Sequence, residues 1–118
     1  MNQPLNAHEI AKQLAERSRE LDEVVSQLDE AEREAINRRE DHTQAYAKAF
    51  LAAQGAMDIR RHIATENTHE SRLAAELAEQ HVRALNRQVQ SVRTRIDVGR
   101  TLGATVRAEV SLGGSGQP

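Results

Sequence analysis

From Val82 to Val110 the apolar and small residues fall at Val82, Leu85, Val89, Val92, Ile96, Gly99, Gly103, Val106 and Val110, in steps that alternate three and four without a slip. That period marks one narrow face of an α-helix, and so long and narrow a face packs along a second helix. Composition points the same way. Tyr46 and Phe50 are the only aromatic residues, and much of the 38% hydrophobic fraction is alanine, so large side chains for a globular core are lacking. Ala, Glu, Arg, Leu and Gln in quantity at a helical period indicate long helices or a coiled coil. The expected fold is all-α: a long antiparallel two-helix coiled-coil hairpin. Two helices side by side leave most of each surface wet, so the hairpin is expected to oligomerise with copies of itself. Leu85, Val89, Val92, Ile96, Gly99, Gly103 and Val106 are the expected seam.

The rest of the chain supplies the partner helix. Residues 1–6 read as a disordered start, with Asn6 placed to cap a helix and Glu9 as its partner three positions on. From there Ile10, Leu14, Leu21, Val24, Leu28, Ala31 and Ala35 keep the same spacing, with the long stem of Arg17 filling one stripe position. No Pro or Gly interrupts this run before Gly55, which predicts helix 1 over about 7–54. Gly55 suits the left-handed residue that ends many helices, and Asp58 suits an N-cap. A turn at 55–57 then leads into helix 2 over about 58–111; the wholly polar piece 65–71 could be a kink or a helix break, but no Pro or Gly forces one and it is read as continuous. The hairpin thus covers 7–112, and 113–118 reads as a flexible tail. Folding about the turn pairs residues whose numbers sum to about 112: Leu28 with Leu85, Val24 with Val89, Leu14 with Val98, and Ile10 with Leu102.

Net charge is −2, but the charges are segregated. Residues 1–41 carry 6 Lys/Arg against 11 Asp/Glu, a balance of −5, whereas residues 81–110 carry 6 Arg against 2 acids, a balance of +4. The basic side chains are 14 Arg to 2 Lys (Lys12 and Lys48). Guanidinium groups grip phosphate in bidentate fashion, so a basic helical face can track a nucleic-acid backbone. The same arginines can instead be neutralised by Glu16, Glu20, Asp22, Glu23 and Asp29 on the neighbouring helix, and their number can equally reflect genomic base composition.

Other candidate groups carry less chemistry. Tyr46 and Phe50, one helical turn apart beside Lys48, can stack unpaired bases or plug a contact between subunits. His62, Glu66 and His69 share a helix face, but a di-iron bundle needs two Glu-x-x-His motifs and the chain has one, so no metal or other cofactor is expected. Without cysteine there is no disulfide or thiolate chemistry. Neither a G-x-S-x-G nor a P-loop occurs, and no enzymatic activity is expected. No apolar run of about 18 residues exists to span a membrane. The start lacks the features of a signal peptide, which leads to an expected cytoplasmic location.

Two passages carry a resemblance: Ala45-Tyr46-Ala47-Lys48-Ala49-Phe50, and Arg95-Ile96-Asp97-Val98-Gly99-Arg100-Thr101 with Val106-Arg107-Ala108-Glu109. Together they resemble small all-helical proteins of actinobacterial phages and prophages over most of 20–110. More loosely, the chain is similar to the UvsY-type recombination mediator of T-even phages in size, helical content and a Tyr/Phe-bearing first helix. The resemblance implies a ring-forming accessory protein in the host cytoplasm. Such a protein binds single-stranded DNA and works with a recombinase or a single-strand-binding protein. It also implies nucleic-acid contacts at Tyr46, Lys48, Arg60, Arg95 and Arg100. The alternative expectation is a structural or adaptor coiled coil, in virion assembly or in inhibition of a host protein, with no nucleic-acid contact.

Overall fold

In a computed structural model the chain is described over residues 6–115, with the backbone alone at Gly114 and Ser115. Three helices account for almost all of it: α1 (Ala7–Ala52), α2 (Met57–Asn67) and α3 (His69–Ser115). No strand occurs among the described residues. The expected disordered start lies outside them except for Asn6, and so does the end of the expected tail, 116–118.

Local chemistry sets the helix ends. The Asn6 side chain accepts a hydrogen bond from the Glu9 backbone N–H at 2.9 Å, satisfying one of the donors that open α1. At the other end the Ala53 N–H reaches the carbonyls of Ala49 and Phe50 at 3.0 and 3.3 Å, and Gly55 takes φ 116°. A side chain there would be strained, so glycine is the residue for this turn. Helix α1 therefore stops at Ala52 rather than 54. The N-cap of α2 is Ala56, extended at φ −65° and ψ 159°, not Asp58. Asp58 sits in the first turn instead, where its charge favours the positive end of the helix.

The second helix is not continuous. Thr68 separates α2 from α3 at φ −113° and ψ 18°, and its hydroxyl donates to the Ala64 carbonyl at 2.6 Å. The backbone ladder persists on both sides, with Thr68 N–H to Ala64 O at 3.1 Å and Arg72 N–H to Thr68 O at 3.0 Å. Back-bonding of a threonine hydroxyl onto the carbonyl four residues earlier bends helices, and no Pro or Gly is needed. At the far end α3 runs on to Ser115, past the limit of 111 and into the segment expected as tail.

The chain divides into two units, one of residues up to Val25 with those from Arg87 onward, the other Ser26–Asn86. The first has an aliphatic core of Ile10, Val24, Val89, Val92 and Ile96, all buried, with Val92 fully so. A Cβ placed on Gly99 would come within 2.7 Å of Leu14 Cδ2, and one on Gly103 within 3.4 Å of Ile10 Cγ2. Residue numbers fall on α1 as they rise on α3, so the two segments run antiparallel. The pairing is one residue off the expected register. Val98 and Leu102 are exposed and the glycines take their place, Gly99 at an approach to Leu14 too close for a side chain.

The two glycines have different tolerances. At Gly103 an added methyl meets Ile10 at ordinary contact distance, while the helix gains about 1 kcal/mol in propensity. Gly103→Ala should therefore raise the thermal midpoint. Gly99→Ala, which must displace Leu14, should gain less or lose. A lower midpoint for Gly103→Ala than for Gly99→Ala would overturn the close approach assigned to Gly99.

The unit Ser26–Asn86 is built differently. Its buried apolar residues are Ala31, Ala35, Ala53, Ala64, Ala75 and Leu85, with Thr68 buried among the polar ones. Six larger apolar side chains, Ile36, Leu51, Met57, Ile59, Leu73 and Leu77, are exposed in the same unit, so its buried positions are mostly alanine, with Leu85 the larger exception. Arg39 of α1 pairs with Glu79 of α3 at 3.2 Å, and His42 with Ser71 at 2.9 Å.

Candidate nucleic-acid interface

The basic surface of the first unit follows from where arginines fall beside the seam. Arg93, Arg100 and Arg107 each stand one residue past a seam position (Val92, Gly99, Val106), so they share one flank at seven-residue steps. Such steps put them about 10.5 Å apart along the axis. Arg93 and Arg100 border a groove with Ser18, Leu21, Asp22, Ile96 and Asp97. Arg100 and Arg107 border the next with Ala7, Ile10, Ala11, Leu14 and Gly103. The α1 bank facing these arginines is mostly short or apolar, and its one acid, Asp22, makes no ion pair with them among the described residues.

Arg95 precedes Ile96 and so lies on the other flank, beside Gln13, Leu14, Arg17, Thr94, Val98 and Leu102. It hydrogen-bonds Ser91 Oγ at 3.1 Å and approaches Glu20 Oε1 at 3.7 Å. Arg17 holds the other oxygen of Glu20 at 2.9 Å, so one carboxylate serves two guanidinium groups. Arg95 and Arg100, expected to act together, are thus separated by the seam. The signal for grouping Arg100 with Arg93 and Arg107 was the seven-residue step, which reading the basic residues as one set conceals.

Neutralisation of these arginines by α1 reaches only one of them. Of the six arginines between 83 and 107, Arg95 alone has a carboxylate within 4 Å among the described residues. Arg83 is held by Gln80 at 2.9 Å, and Arg87, Arg93, Arg100 and Arg107 make no ion pair. The remaining seam residues are buried at Leu85, Val89, Val92, Ile96 and Gly103 and half-buried at Gly99 and Val106.

Tyr46, Lys48 and Arg60 belong to the other unit. His42, Tyr46 and Phe50 succeed one another at four-residue steps, with His42 edge-on to Tyr46 at 6.4 Å and Tyr46 near-parallel to Phe50 at 6.5 Å between ring centres. Ser71 spends its one hydroxyl hydrogen on the Thr68 carbonyl, so His42 Nδ1 carries the proton it shares with Ser71. Lys48 is exposed and two residues from Tyr46, hence on the far side of the helix from the rings. The rings border a shallow depression with Ala47, Leu51, Met57 and Arg61. Arg61, not Arg60, is therefore the cation beside them. Arg60 is half-buried, and its buried Nε has no hydrogen-bond partner. His42, Ser71 and Thr68 went unread in the sequence because a single polar residue on a helix gives no periodic signal.

No group of three His, Cys, Asp or Glu able to hold a metal ion occurs among the described residues, and no described helix is long and apolar enough to cross a membrane. Compared with known proteins, the chain matches no family model, no curated protein and no solved structure.

Proposed function

We propose that the chain is a non-enzymatic accessory protein that binds single-stranded DNA, folded as a coiled-coil hairpin that self-associates in the cytoplasm of a bacterial host. The observation that carries this reading is the row Arg93, Arg100 and Arg107, exposed on one flank of α3 with no ion pair among the described residues. Charges left unpaired along a helix are suited to an extended polyanion, which they bind by releasing its counterions. The step served, recombination or replication in a phage setting beside a recombinase or single-strand-binding protein, rests on the resemblance of the two sequence passages. A second reading, an adaptor that binds protein alone, is favoured by the exposed Leu51, Met57 and Ile59 near the α1–α2 turn.

Fluorescence anisotropy of a labelled single-stranded oligonucleotide tests the first reading. Binding should weaken as salt rises, with a logarithmic slope of about 0.7 per phosphate engaged. Arg93→Ala, Arg100→Ala and Arg107→Ala combined should flatten that slope by about two units. Arg95→Ala, whose guanidinium is already held by Glu20, should change it less. Absence of binding even at low salt would sink the reading and favour the adaptor.

A further inference from the structure

The arginine row has a counterpart on α1 that no side chain engages among the described residues. Glu9, Lys12, Glu16, Arg19 and Glu23 follow one another on one exposed strip of α1, in steps of three, four, three and four. On α3 the exposed strip is Arg93, Asp97, Arg100, Ala104 and Arg107, in steps of four, three, four and three. Reversed, the first order of steps becomes the second. Side by side in opposite directions, the strips set Glu23 against Arg93, Arg19 against Asp97, Glu16 against Arg100, and Glu9 against Arg107. Every such pair sums to 116, and all four are opposite in charge. Lys12 meets Ala104. Run in the same direction, the steps fall out of phase and the ladder is lost.

The chain does not make this ladder with itself. None of these nine charged side chains has an ion pair or side-chain hydrogen bond among the described residues. Within the unit α1 meets α3 through Leu14–Gly99 and Ile10–Gly103, pairs that sum to 113. The α1 bank beside the arginine row is Ala7, Ala11, Leu14, Ser18, Leu21 and Asp22, not the Glu9–Glu23 strip. The two strips thus lie on different faces of one unit, and only another molecule can bring them together.

We infer that α1 of one copy docks antiparallel along α3 of a second copy, through Glu23–Arg93, Arg19–Asp97, Glu16–Arg100 and Glu9–Arg107. Because the strips occupy different faces, the contact is heterologous: each copy offers its acidic strip to one neighbour and its basic strip to another. The pairs are exposed and individually weak, so the association is salt-sensitive and depends on several acting together. The inference shares its arginines with the single-strand reading, and docking and DNA compete for that row.

The test is sedimentation velocity of the full chain without nucleic acid, at low and at high salt, so that its outcome is separate from that of DNA binding. Wild-type chain should associate at low salt and return to the 13.1 kDa monomer at high salt. Glu16→Lys with Glu23→Lys should abolish association at low salt, and so should Arg93→Glu with Arg100→Glu. Mixed in equal amounts, the two reversed variants should associate again, because each restores the ladder for the other. Helicity by circular dichroism should be unchanged in both. A monomeric wild type at low salt, association untouched by either reversal, or a mixture that stays monomeric would each overturn the inference. DNA binding by a Glu16→Gln, Glu23→Gln variant, which keeps the arginine row and adds no cation, reports on the single-strand reading separately.

Discussion

Val92→Asp should leave the chain largely unfolded at neutral pH and partly rescued by acid. Among the described residues Val92 is the one large side chain that is completely buried, in the core of Ile10, Val24, Val89 and Ile96. Its replacement forfeits about 1.5–3 kcal/mol of apolar burial. A carboxylate placed there has no cation or donor, which adds a cost of several kcal/mol. The sum approaches the whole stability of a small domain, about 5–15 kcal/mol. Burial favours the neutral acid, so the folded-state pKa of the new group rises above the unfolded value of about 3.9. The penalty is complete above the raised value and shrinks as pH falls through it. Melting followed by circular dichroism at about pH 7 and about pH 5 should show the variant gaining relative to wild type as pH drops. Val92→Asn, polar but without a titrating group, should be destabilised without that gain. Wild-type melting in the aspartate variant would refute burial of this seam position.

Helix class was legible because it is a repeating property. The three-four spacing of Val82 to Val110 and of Ile10 to Ala35 recurs often enough to survive exceptions such as Arg17. The polar piece 65–71 was legible as a place where the helix could break, but not that it does so at Thr68, because that depends on one hydroxyl turning back to the Ala64 carbonyl rather than out to solvent. A threonine in a polar stretch is compatible with either. Register was read to within one residue from the aliphatic positions. The remaining residue falls at Gly99, whose value lies in the side chain it lacks, and hydrophobicity alone favoured Val98 and Leu102.

The candidate site was legible as a charge imbalance but not as a geometry. Counting arginines placed them on α3, yet which flank each takes depends on its offset from the seam. Arg95 stands one residue before Ile96 and Arg100 one after Gly99, which puts the seam between them. Likewise Lys48 is close to Tyr46 in sequence but, two residues on, faces away from it. The alternative of acid-to-arginine neutralisation reaches only Arg95, through Glu20, for a similar reason. Glu9, Glu16 and Glu23 lie on a different strip of α1, while Ala7, Ala11 and Ser18 face the arginines together with Asp22, which makes no ion pair with them among the described residues.

The alanine interior of the unit Ser26–Asn86 makes the second large prediction. Ala64 is wholly buried in a unit whose buried apolar residues are otherwise Ala31, Ala35, Ala53, Ala75 and Leu85. Methyl-sized contacts hold the helices at close approach and leave no slack for a longer side chain. Ala64→Leu adds three carbons at that point, and overpacking of this kind costs typically 1–3 kcal/mol and occasionally more. Here the upper end is expected. The carbonyl of Ala64 is also tied to the Thr68 hydroxyl at 2.6 Å, so displacement of α2 disturbs the bend as well as the packing. A loss of about 3 kcal/mol should lower the thermal midpoint by 10 °C or more in a chain of this size. Ala52→Leu, exposed at the end of α1, makes the same chemical change without confinement and should leave the midpoint within about 2 °C. Equal melting of the two variants would show room beside Ala64, and the unit would then owe its cohesion to Leu85 and the Arg39–Glu79 and His42–Ser71 contacts rather than to its alanines.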